Sequence, residues 1–129
     1  MAGAYVSYGF NNKECPVRLI PHPIHDWVQD VELKIPDGTC NPYLVVACMV
    51  LAGLDGVWRK IGLPSPTQSD PSDETHIRLP QTLEEAVLVF ETNETFKKGL
   101  GDKLFQAVLE LKRFEIQNPI SLAEIIELF

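Results

Sequence analysis

The sequence predicts an α+β fold: a short antiparallel strand pair, then a buried helix, then several C-terminal helices. Four stretches carry that prediction. Val31, Leu33 and Ile35 alternate with Glu32 and Lys34, the period-two pattern of a half-covered strand. Asn41-Pro42 opens an apolar run from Tyr43 to Leu54. Further on, Thr82 with Glu85 and Ser121 with Glu124 have the spacing of capping boxes, the signature of helix starts.

Taken in order, residues 1–10 are small and aromatic, with no readable period. Asn11-Asn12 marks a turn, and Lys13 to Ile20 reads as a short strand that Pro16 confines to an edge or a bulge. The proline-rich run from Pro21 to Asp26 is a loop, extended before each proline. Gln29 to Ile35 is the second strand, and the loop between the two makes antiparallel pairing the simplest arrangement. Pro36-Asp37-Gly38 ends it with turn chemistry: a preset φ, a side chain that bonds its own backbone, and a residue tolerant of positive φ.

Asn41 then serves as N-cap, with Pro42 at the first helical position, where a missing N–H costs nothing. The helix that follows is apolar on every face, so it is expected to be buried all round. It is too short to cross a bilayer, which takes about 20 apolar residues. Arg59 and Lys60 complement its C-terminal dipole, and Gly62 ends it. The stretch 62–80 is a surface loop within a single domain spanning residues 1–129. Leu83, Ala86, Val87 and Phe90 form the apolar stripe of the next helix. Asn93 caps a short helix that stops at Gly99. Asp102 caps a longer one, with Leu104, Val108 and Leu111 on one face and Phe105 beside it. Pro119 stops that helix, and Leu122 to Phe129 form the last.

Composition narrows the function. A chain of 129 residues that is 45% apolar and 22% charged fits one globular domain. A net charge of −7 argues against nucleic acid and against an anionic membrane surface as partners. Cys15, Cys40 and Cys48 are odd in number and lack metal-ligand spacing. The opening MAGAYVSYGF has neither a basic leader nor a long apolar core, so the expected compartment is reducing and cytoplasmic.

Chemistry concentrates on the two strands. Lys13, Arg18, Glu32 and Lys34 set one carboxylate among three cations, an arrangement suited to an anion or a metal-bound phosphate. Periodicity alone favours the plainer reading, in which Glu32 and Lys34 are the solvated face of an amphipathic strand. His22 and His25 bracket the proline-rich loop, but their spacing fits no helical ligand pair and no third ligand is near. Asp55, between Gly53 and Gly56, is suited to bonding a neighbouring backbone or Arg59. There is no Gly-rich phosphate loop, no nucleophile elbow and no Cys/His pair with a base.

Five segments carry a family resemblance: NNKECPVRLI, VELKIPDGTCNPYL, AGLDG, RLPQTLEEAV and LELKRFE. In this order and spacing they resemble the C-terminal part of the catalytic domain of glutamine synthetase, so the fold is expected to be a partial glutamine synthetase catalytic domain. The NNKECPVR wording is most similar to the nodulin- and FluG-type branch. The resemblance implies an ATP-dependent ligase that joins ammonia to the γ-carboxylate of glutamate through γ-glutamyl phosphate, with Mg²⁺ or Mn²⁺ and a homo-oligomeric assembly. It places Glu32 at a metal-binding glutamate and Arg18 at an arginine that contacts nucleotide phosphates. Lys13 and Lys34 fall at positions, usually arginine, in the glutamate-binding region. Lys keeps the charge there but loses planar bidentate recognition. The family's other metal glutamates and its His-x-His-x-Ser nucleotide segment have no counterpart in these residues. The isolated chain is therefore expected to be inactive, and a non-catalytic binding or assembly module is the alternative.

Overall fold

The computed structural model describes residues 3–36, 38–73 and 76–119. Two compact units share the chain, one made of Met1–Val45 with Ile61–Leu79, the other of Val46–Lys60 with Pro80–Phe129.

The first unit is built on a three-stranded sheet: β1 (Tyr8–Phe10), β2 (Val17–Pro21) and β3 (Val28–Leu33), in that spatial order. The expected antiparallel pair is β2 with β3. The third strand is an addition, because three residues are too few to show a period. β1 pairs with β2 in parallel. The short turn between them takes Asn11 through a left-handed backbone (φ 52°), while the Asn12 Oδ1 accepts the amide of Glu14 (3.0 Å). Pro16 stands just before β2 rather than inside it, and its carbonyl accepts the amide of Lys34 (2.9 Å). The register shifts between Ile20 and Pro21, where a proline cannot continue the ladder. β3 ends at Leu33, short of Ile35, and its burial does not alternate: Val28 to Glu32 are all exposed and only Leu33 is half-buried, so that face is not half-covered as expected.

Residues 61–79 belong to this unit, and bonds at Pro64, Thr67 and Ser69 tie the segment to β1 and the turn after it. The Tyr8 hydroxyl donates to the carbonyl of Pro64 (2.7 Å), and the Asn12 amide donates to the carbonyls of Thr67 (3.2 Å) and Ser69 (2.8 Å). The Thr67 amide donates to the carbonyl of Tyr8 (2.8 Å), and Thr67 itself is buried with its hydroxyl 3.1 Å from His76 Nε2. Cys15, whose Sγ lies close to Gly9, is fully buried.

A short 3₁₀ turn, Pro71–Asp73, is capped by Asp70, whose Oδ1 accepts the amide (2.8 Å) and hydroxyl (2.7 Å) of Ser72. These bonds, the backbone one foremost, hold the Asp70 carboxyl below its ordinary range. A carboxylate depressed on folding contributes stability above its unfolded pKa and loses it as pH falls through the folded value. Asp70→Asn is therefore expected to lower the neutral plateau of a plot of urea midpoint against pH and to flatten its acid limb below about pH 4.

The longest helix is α1 (Pro42–Trp58), started as expected by Asn41, whose Oδ1 accepts the amides of Tyr43 (3.0 Å) and Leu44 (3.3 Å). Its burial differs from expectation. No residue of α1 is buried, and Tyr43 and Trp58 are 85% and 72% exposed. An apolar helix specifies that something should cover it, but not that the covering lies among the described residues. Cys48, half-buried there, has its thiol pKa raised by desolvation, which suits a small hydrophobe better than a nucleophile. Arg59 lies one residue past the helix and pairs with Asp55 (2.9 Å), as its spacing predicts.

The helical unit also holds α2 (Leu83–Glu91), α3 (Glu94–Leu100) and α4 (Asp102–Gln117). Half of the first capping box forms: the Glu85 amide donates to Thr82 Oγ1 (3.2 Å), while the Glu85 carboxylate reaches back past the cap to accept from the amide of Gln81 (2.7 Å). Asn93 caps α3 through the amide of Phe96 (3.0 Å). Asp102 does not cap α4; Gly101, with φ at 77°, is the cap residue and Asp102 the first helical one. The core is Val87, Phe105 and Leu109, with Phe90, Phe96, Leu100 and Ile116 packed against it. This corrects the apolar face of α4, since Leu104 and Leu111 are exposed. The second capping box and the last helix, Leu122 to Phe129, lie outside the described residues. No helix among the described residues is long and apolar enough to cross a membrane.

Candidate functional site

The β2–β3 register sets Arg18 directly opposite Glu32. Directly paired residues of an antiparallel ladder project from the same face, so the two side chains meet across the strands. An Arg18 guanidinium nitrogen lies 3.4 Å from Glu32 Oε2, with the side chains 23% and 45% exposed. The pair is thus accessible at the acid and sheltered at the base.

Arginine presents five N–H donors in a rigid fork. Glu32 engages one terminal nitrogen, while the Arg18 Nε is buried and has no hydrogen-bond partner. A buried donor on a charged group without an acceptor is costly, and an anion reaching that edge would relieve the cost. Neither Nε burial nor the cross-strand pairing can be read from period-two patterning, which says only that residue 32 faces away from residues 31 and 33.

The other two cations come together differently. Lys34 half-buries its side chain and its ammonium donates to the carbonyl of Lys13, while the Lys13 side chain is exposed. Together with the Lys34 amide bonded to Pro16, this fastens the end of β3 to the turn before β2. All four predicted residues therefore belong to one neighbourhood of the sheet, with Arg18 and Glu32 in side-chain contact and Lys34 bonded to the backbone of Lys13.

Among the described residues, no group of three or more His, Cys, Asp or Glu could hold a metal ion. Glu32 fits the role of one oxygen ligand within a set completed from elsewhere, the usual way Mg²⁺ is held. His22 and His25 lie in the β2–β3 loop with their rings stacked (centroids 4.6 Å), and His22 stacks also on Trp27 (4.6 Å). Asp55 is structural: beyond Arg59, its Oδ1 accepts from the Thr95 hydroxyl (3.3 Å).

A family model for the catalytic domain of glutamine synthetase matches residues 1–127. The glutamine synthetase of Methanocaldococcus jannaschii is 38% identical over 93 residues, covering 66% of this chain and 20% of the relative. The γ-glutamylethanolamide synthetase GlnA4 of Streptomyces coelicolor is 31% identical over 86% of this chain and 23% of its own length. Rat lengsin is 30% identical over 92% of this chain and 21% of its own length. The solved GmaS/ADP complex superposes with a TM-score of 0.72 at 28% identity, over 94% of this chain and 28% of that one. The chain thus spans between a fifth and a third of the relatives it matches.

Proposed function

This chain belongs to the glutamine synthetase catalytic-domain family, and on that premise we propose that it carries the phosphate-facing segment of an ATP-dependent, γ-glutamyl-forming ligase. The observation that carries the proposal is the Arg18–Glu32 pair, with the Arg18 Nε buried and partnerless beside it. Arg18 is assigned to nucleotide phosphate and Glu32 to one Mg²⁺ or Mn²⁺ ion. Lys13 and Lys34 are assigned to the glutamate side of the site. The ATP assignment is supported by a structural relative being an ADP complex. The γ-glutamyl assignment is supported by the names of relatives that differ in the amine.

The chemistry follows from charge. Transfer of a phosphoryl group to the γ-carboxylate spreads negative charge over the transferred oxygens, and preorganised cations stabilise it there without reorganising. Arg18 is the cation assigned to such oxygens, held by its contact with Glu32, and the acid's second oxygen is left for the ion. When bound, the ion supplies further neutralisation of phosphate charge. Ammonia then displaces phosphate from the γ-glutamyl phosphate.

A site with one metal carboxylate does not complete this chemistry alone, so the 129-residue chain by itself is proposed to be inactive. It is expected to form no γ-glutamyl hydroxamate from glutamate, ATP and hydroxylamine with Mg²⁺ or Mn²⁺. A robust signal that Glu32→Ala abolishes would show instead that these residues suffice. The second reading, a non-catalytic binding or assembly module, is favoured by the exposed apolar length of α1, since apolar surface of that extent marks an interaction site. Homo-oligomeric assembly, a cytoplasmic setting and descent from the nodulin/FluG-type branch belong to the same proposal.

A further inference from the structure

The β2–β3 loop contains a histidine in a role normally given to asparagine. His22 Nδ1 accepts the backbone amides of Ile24 and His25, both at 3.1 Å. Asn41 Oδ1 does the same at the start of α1, taking the amides two and three residues on. The two acceptors are topologically equivalent, each one bond beyond Cγ. Their chemistry differs, because an amide oxygen accepts at any pH and an imidazole nitrogen accepts only while it carries no proton.

We propose that His22 is a pH-operated cap: as the neutral ring it closes the β2–β3 loop, and as imidazolium it releases it. With the proton on Nε2, Nδ1 satisfies both amides. Protonation places a third N–H where two already converge, so both bonds are lost together. An imidazole ordinarily makes this change between pH 5 and 8. The ring is held for the task. His22 is half-buried while every other residue from Pro21 to Asp30 is exposed, and its own amide donates to the Trp27 carbonyl (2.9 Å).

The groups around it are few. His25 is stacked at 4.6 Å, and two imidazolium rings at that distance would repel. Trp27 tolerates a charged ring against its face but supplies no acceptor for the stranded amides. Asp26 in the loop and Asp30, opposite Ile20 on β3, are the nearby carboxylates along the chain, and neither forms an ion pair with His22 among the described residues. Release would free the end of the hairpin beyond the Pro21–Val28 pair, leaving the Arg18–Glu32 rung inside the ladder.

The test is a nuclear magnetic resonance titration of the whole chain from pH 8 to pH 5, with ¹⁵N-labelled histidine. At pH 8 the His22 Nδ1 should be unprotonated. On acidification, the exchange protection of the Ile24 and His25 amides, corrected for intrinsic rates, should fall about tenfold with the midpoint of the His22 titration. His22→Asn should keep the protection flat across the range, and His25→Gln should retain the response. A proton on Nδ1 at pH 8, amides indifferent to the His22 titration, or a His22→Asn chain that still responds would each overturn the proposal. The tautomer and midpoint are read on the unaltered chain, so a variant that fails to fold leaves them decisive.

Discussion

Phe105→Ala should unfold the helical unit, at a cost of about 3–5 kcal/mol. Phe105 is 1% exposed and stacks on Phe90 with ring centroids 4.7 Å apart. Among the described residues it belongs to a buried cluster with Val87 and Leu109, against which Phe90, Phe96, Leu100 and Ile116 pack. A small domain has only about 5–15 kcal/mol of stability in total, so the loss removes much of it. Urea unfolding followed by the helical circular dichroism signal checks this. Leu111→Ala is the control: Leu111 is exposed on the same helix and should cost well under 1 kcal/mol. Equal losses for the two variants would mean that the core lies on a different face of α4.

Gly9→Ala should detach the strap of residues 61–79 from the sheet. A Cβ at residue 9 would lie 2.7 Å from the Thr67 carbonyl oxygen and 2.7 Å from the Asn12 Cβ, with Cys15 Sγ at 3.3 Å. The carbonyl is backbone and cannot swing aside as a long side chain would. The same carbonyl accepts the Asn12 amide, so relieving the clash also breaks that bond. Overpacking of this kind costs about 1–3 kcal/mol. The sensitive readout is Cys15, fully buried in the native chain. Its labelling by a thiol reagent should become fast in Gly9→Ala under conditions where the native protein protects it. Continued protection would show that the strap tolerates the methyl group.

Local chemistry was the legible part of the fold. The caps at Asn41, Thr82 and Asn93, the Asp55–Arg59 pair and the β2–β3 hairpin all rest on residues within a few positions or on a strong alternation, and all are present. Apart from the cap of α4, which is Gly101 rather than Asp102, what failed depended on long-range packing. Phe105 and Leu109 face the core of the helical unit while Leu104 and Leu111 do not, because a helix with apolar residues at all these positions leaves the choice of face to its neighbours. The all-apolar α1 was expected to be buried, a property of its surroundings rather than of its composition. β1 was invisible because three residues cannot display a period.

The candidate site divides along the same line. Charge type and strand assignment pointed to Lys13, Arg18, Glu32 and Lys34. The register then decides that Arg18 faces Glu32 and that the Lys34 ammonium meets the backbone of Lys13. The burial of the Arg18 Nε is a property of its surroundings, which strand patterning does not display. The capping role of His22 had a local signal, a polar side chain two and three residues before the amides it serves, but the pattern is associated with Asn, Asp, Ser and Thr and is easily passed over for histidine.

The central claim is that Arg18 and the open oxygen of Glu32 together receive a metal-bound phosphate. It is tested most directly by titrating the ¹⁵N-labelled chain with ADP, first with Mg²⁺ and then with Mn²⁺, while following the Arg18 Nε–H resonance. With Mg²⁺ that resonance should shift, and with Mn²⁺ the broadening should centre on Glu32 and vanish in Glu32→Gln. An Arg18 Nε–H resonance that stays in place at millimolar nucleotide, with Mn²⁺ broadening scattered over the acidic surface, would contradict it.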